Sequence, residues 1–147
     1  STDADVMCFL IDKLFQCASI QVNFCSLYAE ICSALHKEIA SVDMNQYIEG
    51  MILGKMNDLE KYRNSSTLQS YDDFCEDLSW KNKHKGFYQL LTHFYIKNLL
   101  DISKLQDVLL QIKSLILSET NHFKTEVLIE SLSTVLKTIA ATKTINK

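Results

Sequence analysis

The stretch IQVNFCSLYAEICSALHKEI, Ile20 to Ile39, carries the strongest fold signal in this chain. Its large apolar residues recur at i, i+3, i+4, i+7 and i+11, the spacing of one face of an α-helix. These residues are Phe24, Leu27, Tyr28, Ile31 and Leu35. Asn23 precedes them and is a residue type that often caps a helix N-terminus. The pattern predicts an amphipathic helix that turns this stripe towards a core.

The composition of the whole chain favours an all-α fold. The 147 residues include no proline and only three glycines, Gly50, Gly54 and Gly86, so long helices are expected. Hydrophobic residues make up 47% of the sequence, which is enough for one packed core. We therefore expect residues 1–147 to form a single domain. A start at Ser1 without Met is typical of a domain trimmed from a longer protein.

Helical periodicity recurs along the rest of the chain. It predicts helices over about 2–19, 20–39, 43–63, 87–100, from 101 onwards and after 121, with a short helix over 68–78. The predicted inward residues outside the opening stretch are Val6, Phe9, Leu10, Leu14, Ile48, Met51, Ile52, Leu59, Phe87, Leu90, Leu91, Phe94, Ile102, Leu105, Val108, Leu109, Ile112, Leu115, Val127, Leu128, Leu132, Val135, Leu136 and Ile139. The glycine pair Gly50 and Gly54 predicts close approach of a neighbouring helix. Such short amphipathic pairs fit an α-solenoid of antiparallel HEAT-like pairs, shaped as a crescent, and also a bundle.

Charge and cysteine usage restrict the class of protein. The net charge of -3 argues against a generally basic coat for nucleic acid. The five cysteines are odd in number and lack CxxC spacing, which predicts reduced thiols buried among apolar residues and a cytoplasmic or nuclear location. Since no apolar run approaches the ~20 residues that span a bilayer, no membrane segment is expected. We take the cytoplasm as the expected location.

A search for catalytic motifs favours a binding module over an enzyme. Three scattered glycines cannot form a phosphate-binding loop, and HExxH and nucleophile-elbow motifs are missing. Cys32 and His36 lie four residues apart, but a metal site needs more ligands than this pair. An acidic cluster over 72–77 lacks the order of a calcium loop, and a solvated or docking surface is the better interpretation. We expect no catalytic residues, no metal and no cofactor.

Two surface features remain as candidate binding sites. A basic run in a long polar loop predicts contact with RNA, by phosphate binding and stacking on an exposed tryptophan. Its residues are Trp80, Lys81, Lys83, His84 and Lys85. The alternative is a solvated linker with the tryptophan folded back into the core. The turns between helices predict a protein-binding edge, as in solenoids, formed by Gln21, Asn23, Asn121, His122 and Lys124.

Three blocks of sequence resemble the MIF4G domain, the HEAT-repeat middle domain of eIF4G-type translation initiation scaffolds. The first, Leu10 to Leu35, has Asn23-Phe24, Tyr28-Ala29, Cys32 and Leu35 at the family spacing, with Val22 in place of the family proline. The second, Lys85 to Asp101, resembles the family's basic linker, glycine and following helix. The third, Thr125 to Lys143, resembles a later helix of the family. The blocks occur in family order.

The resemblance implies a non-catalytic scaffold that binds an eIF4A-type DEAD-box helicase, other initiation factors and RNA to promote mRNA recruitment. The family's contacts map onto the helix turns and the basic run named above. Two alternatives stay open. One is a MIF4G-like adaptor in mRNA decay, splicing or translational control, and the other is a Bcl-2-like bundle that captures an amphipathic helix. Richness in Ile, Asn and Lys hints at the AT-rich genome of a large DNA virus or a parasite.

Overall fold

The chain folds into six α-helices. The computed structural model describes residues 3–39, 43–62 and 70–145, and this part of the chain contains no strand. The helices are α1 Asp3–Ile20, α2 Cys25–Glu38, α3 Met44–Leu59, α4 Tyr71–Ile96, α5 Ile102–Ser118 and α6 His122–Ile145, and a 3-10 turn, Val22–Phe24, joins α1 to α2. The prediction of an all-α protein is confirmed. The predicted loop over 64–67 and the first residues of the predicted short helix lie outside the described residues.

Polar side chains define where several helices begin. The Asp43 carboxylate accepts a hydrogen bond from the backbone N–H of Gln46 at 3.3 Å, and the Ser70 hydroxyl accepts one from the N–H of Asp73 at 3.1 Å. Each bond satisfies a backbone donor that the first helical turn leaves unpaired. At α2 the expected cap is wrong, because Asn23 lies within the 3-10 turn and Phe24 occupies the cap position without a side-chain bond.

Helix α4 overturns the prediction of a long polar loop ending at Gly86. It runs without a break for 26 residues, and the whole basic run from Trp80 to Lys85 lies in its middle. Its local sequence is polar enough to resemble a linker, but Trp80 and His84 are buried on its inner side. Tertiary packing therefore decides the conformation here, and local propensity does not.

The end of α4 is set by Asn98. This residue has φ 62, the left-handed conformation that Asn tolerates better than most residues and that often ends a helix. The N–H of Leu99 then bonds back to the carbonyl of Phe94 at 2.8 Å. The helix therefore ends at Ile96, four residues before the predicted end at Leu100.

Helix α4 is also the centre of the molecule. Helices α1, α2, α3, α5 and α6 all pack against it. Consecutive helices also form the pairs α1–α2, α3–α4 and α5–α6, and the first and third pairs pack on α4. Within the described residues no comparable packing joins the first pair to the third. Helix α1 also packs against α3, so the first pair meets both helices of the second.

Gly86 permits the closest helix crossing. A Cβ atom at this position would lie 2.1 Å from the backbone oxygen of Ala18, so only glycine fits between α1 and α4 without a shift. The neighbouring Cys25 thiol donates to the Gly86 carbonyl at 3.6 Å. By contrast, a Cβ at Gly50 or Gly54 would meet nothing within 4 Å. The prediction of close packing at that glycine pair is therefore wrong.

The predicted inward stripe of α2 is wrong for three of its five residues, whereas Tyr28 and Leu35 are partly buried and pack against the core. Phe24, Leu27 and Ile31 are exposed, and the buried residues of the helix are Cys25, Ala29 and Cys32. Small side chains on the inner face let α2 lie close to α4, and the larger apolar residues consequently turn outwards. In α1 likewise Val6 and Phe9 are exposed, whereas Met7, Ile11, Leu14, Phe15 and Ala18 are buried.

The later helices follow the predicted stripes more closely. The buried set includes Ile48, Ile52, Leu59, Phe87, Leu90, Leu91, Phe94, Leu105, Val108, Ile112, Val127, Leu128 and Val135. The two exceptions are Ile102 and Leu136, which are exposed because they lie at the borders of their stripes. All five cysteines are free, and the prediction of burial holds for Cys25 and Cys32 but is wrong for the exposed Cys17 and Cys75.

Candidate partner-binding surfaces

Trp80 is part of an aromatic cluster and does not face solvent. Its side chain is 6% exposed. The ring centroid lies 3.7 Å from that of His84, 5.6 Å from that of Tyr62 and 5.9 Å from that of Phe123. The cluster joins the segment that follows α3, the middle of α4 and the start of α6. Trp80 is therefore not exposed as expected, and the alternative of a tryptophan packed into the core is the one observed; base stacking by Trp80 stays a prediction.

His84 is buried beside Trp80 and is neutral at pH 7. Its Nδ1 donates to the Trp80 carbonyl at 2.8 Å. Burial lowers the pKa of His84 to about 4, and the positive charges of Lys124 and Lys83 act in the same direction. A neutral buried imidazole offers no positive charge to a phosphate, and RNA contact by His84 stays a prediction.

The lysines of the basic run differ in what they contact. Lys85 Nζ lies 2.7 Å from one carboxylate oxygen of Glu130 and Lys81 Nζ lies 3.6 Å from the other, which ties α4 to α6. The hydrogen bond from Lys85 is the main reason why the pKa of Glu130 is lowered. Lys83 is exposed and forms no ion pair with any other described residue. The run therefore presents one unneutralised lysine to solvent.

The first predicted protein-binding turn is accessible. Gln21 and Asn23 are both exposed in the connection between α1 and α2. The backbone N–H of Gln21 bonds to the carbonyl of Cys17 at 2.8 Å, which fixes the main chain while leaving the side chain available. Exposed Phe24 follows, with its ring 6.5 Å from that of Tyr28. A partner at this edge would meet two polar side chains and one aromatic ring.

The second predicted turn is largely occupied by internal contacts. Asn121 caps α6, because its side-chain oxygen accepts from the N–H of Lys124 at 3.0 Å. Lys124 Nζ lies 2.8 Å from Glu119 and 5.3 Å from the centre of the Tyr62 ring. Only His122 is strongly exposed, and its side chain pairs with Glu126 at 3.1 Å. Asn121 and Lys124 therefore shape the turn, and His122 is the side chain that it offers to a partner.

The two turns lie beside the middle of α4 but on different sides of it. Cys25 meets α4 at Gly86, and Phe123 meets it at Trp80. Six residues correspond to about 9 Å along a helix and to roughly 120° around it. The structure therefore places both turns near one level of α4 without joining them into one patch.

The sequence patterns did not predict the groove that lies between α3 and α5. One cavity of about 530 Å³ and a second of about 180 Å³ share Leu53, Met56 and Gln111. Leu53 and Leu110 line the groove and are 63% and 60% exposed. In the sequence, Leu53 and Leu110 fall outside the inward stripes of their helices, and this could have indicated the groove. We call this feature the α3–α5 groove.

Comparisons with family models, with curated proteins and with solved structures found no match. Among the described residues there is no group of three or more His, Cys, Asp or Glu side chains that could hold a metal ion. Within the same ranges no helix is long and apolar enough to cross a membrane.

Proposed function

We propose that this chain is a cytoplasmic, non-catalytic scaffold domain of the MIF4G type, which binds an eIF4A-type DEAD-box helicase and promotes mRNA recruitment in translation initiation. Its action is to stabilise one arrangement of the helicase lobes, so that the free energy of binding shifts the helicase between conformations. The proposal rests on the sequence resemblance, since the order of Asn23-Phe24, Tyr28-Ala29, Cys32 and Leu35 is its strongest element.

One structural observation supports the resemblance. The three resembling blocks, chosen from sequence alone, all meet at α4. Phe15 of the first block packs on Phe87 of the second with ring centroids 5.6 Å apart. Gln89 of the second block donates to Thr138 of the third at 3.0 Å. This packing agrees with the resemblance, and it also follows from the central position of α4, against which every other helix packs.

The proposed architecture is a crescent-shaped α-solenoid of three antiparallel HEAT-like pairs. In its favour, the pairs follow chain order and the first and third pairs pack on the middle one. A solenoid of this kind leaves the turns between helices accessible along an edge. Gln21, Asn23 and His122 are the exposed side chains on the two turns. We call these two separate turns together the proposed helicase-binding edge, and Asn121 and Lys124 hold the second turn in shape.

The experiment is a pull-down of purified eIF4A-type helicase, with a replacement at each turn. We expect Asn23→Arg and His122→Glu each to weaken helicase binding by about tenfold, because a charge at an interface must be desolvated without a partner. Gln106→Arg, at an exposed position of α5 away from both turns, is the matched control and should bind normally. Equal binding by all three variants would exclude this edge.

RNA contact is a second part of the proposal and is restricted to Lys83 and its surroundings. We expect Lys83→Glu to reduce RNA binding about twofold to tenfold at low salt and to lower the salt dependence, since one phosphate contact is lost. Lys113→Glu, an exposed lysine of α5, is the control. Lys85→Glu is unsuitable because it also breaks the ion pair with Glu130. Unchanged RNA binding by Lys83→Glu would remove RNA from the proposal.

The adaptor alternative keeps the same fold and edge with a different helicase. A panel of DEAD-box helicases from initiation, splicing and decay separates the two. Preferential binding to a helicase of splicing or decay would replace the initiation role with the adaptor role.

A further inference from the structure

We propose that the α3–α5 groove is a second docking site, which takes a short amphipathic helix with basic residues beside its apolar face. This inference does not depend on the helicase or on the MIF4G resemblance, because it uses other residues on other helices.

The groove has the size of a helix-binding site. Its lining runs from Glu49 to Glu60 along α3 and from Lys104 to Ser118 along α5. These spans correspond to about 16 Å and 21 Å at 1.5 Å per residue. A ligand helix of three to four turns fits that length and would place two or three apolar side chains along it.

The floor and walls of the groove are apolar where such side chains would lie. Ile52, Met56 and Val108 are buried below, each with less than a tenth of its surface exposed. Leu53 and Leu110 stand above them on opposite sides and are mostly exposed. Covering two leucines that now face water would give the binding its hydrophobic driving force.

The rim of the groove identifies the charge of the occupant. It carries the three carboxylates of Glu49, Glu60 and Asp107 against the single ammonium of Lys104. None of these four side chains forms an ion pair with another described residue. The acidic excess is therefore available to a ligand and favours a helix with Lys or Arg next to its apolar stripe.

The same charges disfavour a second copy of this chain as the occupant. In a two-fold dimer the same surface meets itself, so a rim with three carboxylates and one ammonium would meet a second rim with the same negative excess. Like charges brought together in an interface are repulsive. We therefore assign the groove to a helix from a different protein.

The test is a selection from displayed 16-residue peptides against the full chain. One library has Leu at four positions of a helix face with the remaining positions randomised, and a control library has the same composition in scrambled order. We expect enrichment from the patterned library alone, with Lys or Arg beside the stripe. Absence of enrichment over the scrambled library, or enrichment of acidic peptides, would overturn the proposal.

Variants of the chain then locate the site. The selected peptides should bind Leu53→Asp and Leu110→Asp at least tenfold more weakly, and Glu49→Lys several-fold more weakly. Leu117→Asp, on the same α5 but outside the groove and 77% exposed, should bind normally. Because Leu53 and Leu110 are already exposed, these changes should leave the fold intact, and circular dichroism checks this. Undiminished binding by the groove variants would overturn the assignment.

Self-association is measured in parallel by sedimentation. A concentration-dependent dimer that disappears in Leu53→Asp would mean that a second copy fills the groove, which contradicts the proposal. A monomer that binds the selected peptides supports it. Helicase binding should be unaffected by Leu53→Asp. The peptide assay and the helicase assay therefore test the groove proposal and the helicase proposal independently.

Discussion

Gly86 shows how one residue without a side chain can fix the packing of two helices. The sequence indicated a glycine after a basic linker, where a turn was expected, and the structure places it inside α4 against the backbone of Ala18. Nothing in the local sequence distinguishes this glycine from Gly50 or Gly54. Gly86 differs because it contacts Ala18, 68 positions earlier in the chain. Helical periodicity within one segment cannot predict such a contact.

Adding one methyl group separates these glycines experimentally. We expect Gly86→Ala to lower the free energy of unfolding by about 1–3 kcal/mol, because the new Cβ collides with backbone that cannot move cheaply. Gly54→Ala is the matched control and should raise it by about 0.5–1 kcal/mol, since alanine favours the helix and nothing lies in the way. Urea unfolding measures both. A neutral or stabilising Gly86→Ala would contradict the observed crossing of α1 and α4.

His84 makes stability depend on pH. Its pKa is lowered to about 4 in the folded chain, against 6.5 in an unfolded one. The unfolded chain therefore binds more protons as the pH falls below 6.5, and the native state loses stability. We expect His84 to contribute a loss of about 2 kcal/mol between pH 7 and pH 5.

The matched control for this prediction is His84→Gln, which keeps a hydrogen-bond donor near the Trp80 carbonyl. Urea unfolding across this pH range should give a clearly flatter profile for the variant. The stability of the variant should still fall somewhat as the pH falls, because burial also lowers the pKa of His93. Parallel profiles for the variant and the original chain would show that His84 is not buried as described.

At the scale of a helix, α2 shows which part of a sequence pattern is reliable. Hydrophobic spacing correctly predicted a helix here, but it assigned the wrong face to the core. Both the stripe from Phe24 to Leu35 and the set Cys25, Ala29 and Cys32 have helical spacing. Hydrophobicity favours the stripe as the inner face, and close packing against α4 favours Cys25, Ala29 and Cys32. Since the partner helix is distant in sequence, the choice between faces could not be made from α2 alone.

Two substitutions in α2 test its orientation. We expect Leu27→Gln to change the free energy of unfolding by less than about 0.5 kcal/mol, because that side chain is exposed. Ala29→Gln should cost more than about 2 kcal/mol, since it forces a larger polar group into a fully buried position. Urea unfolding of the pair decides the matter. A larger cost at Leu27 would restore the predicted inward stripe.

The same helix makes a prediction about its thiols. Burial raises the pKa of both Cys25 and Cys32 to about 12, so neither forms a reactive thiolate at neutral pH. We expect a thiol reagent to modify Cys17 and Cys75 rapidly in the folded chain and to reach Cys25 and Cys32 only after unfolding. Mass spectrometry of the labelled protein assigns the sites. Rapid modification of Cys25 or Cys32 in the folded chain would contradict the packing of α2 on α4.

At the scale of the whole molecule, composition and periodicity predicted the helical class and most of the inner faces after α2. They failed over the central segment, because Trp80 packs against the rings of Tyr62 and Phe123, which lie outside the segment and which the segment itself does not reveal. For the same reason the exposed position expected for Trp80 was wrong, and RNA contact stays a prediction that rests on Lys83. The helix turns were easier to predict, since residues such as Gln21 and His122 need no partner to remain exposed.

The order of the helix pairs leads to a prediction about shape. A spherical domain of this length has a radius of gyration of roughly 15 Å. We expect small-angle X-ray scattering to give a larger value and an asymmetric distance distribution, because the proposed crescent of three pairs would extend along one direction. A value near 15 Å with a symmetric distribution would support a compact bundle and contradict the proposed crescent.

Helicase binding tests the central claim most directly. The decisive measurement is the RNA-stimulated ATPase rate of an eIF4A-type helicase with and without this chain, together with its affinity for the chain. The scaffold account predicts saturable binding and a faster ATPase rate, both weakened by Asn23→Arg and unaffected by Gln106→Arg. No binding and no stimulation across cognate helicases would contradict it.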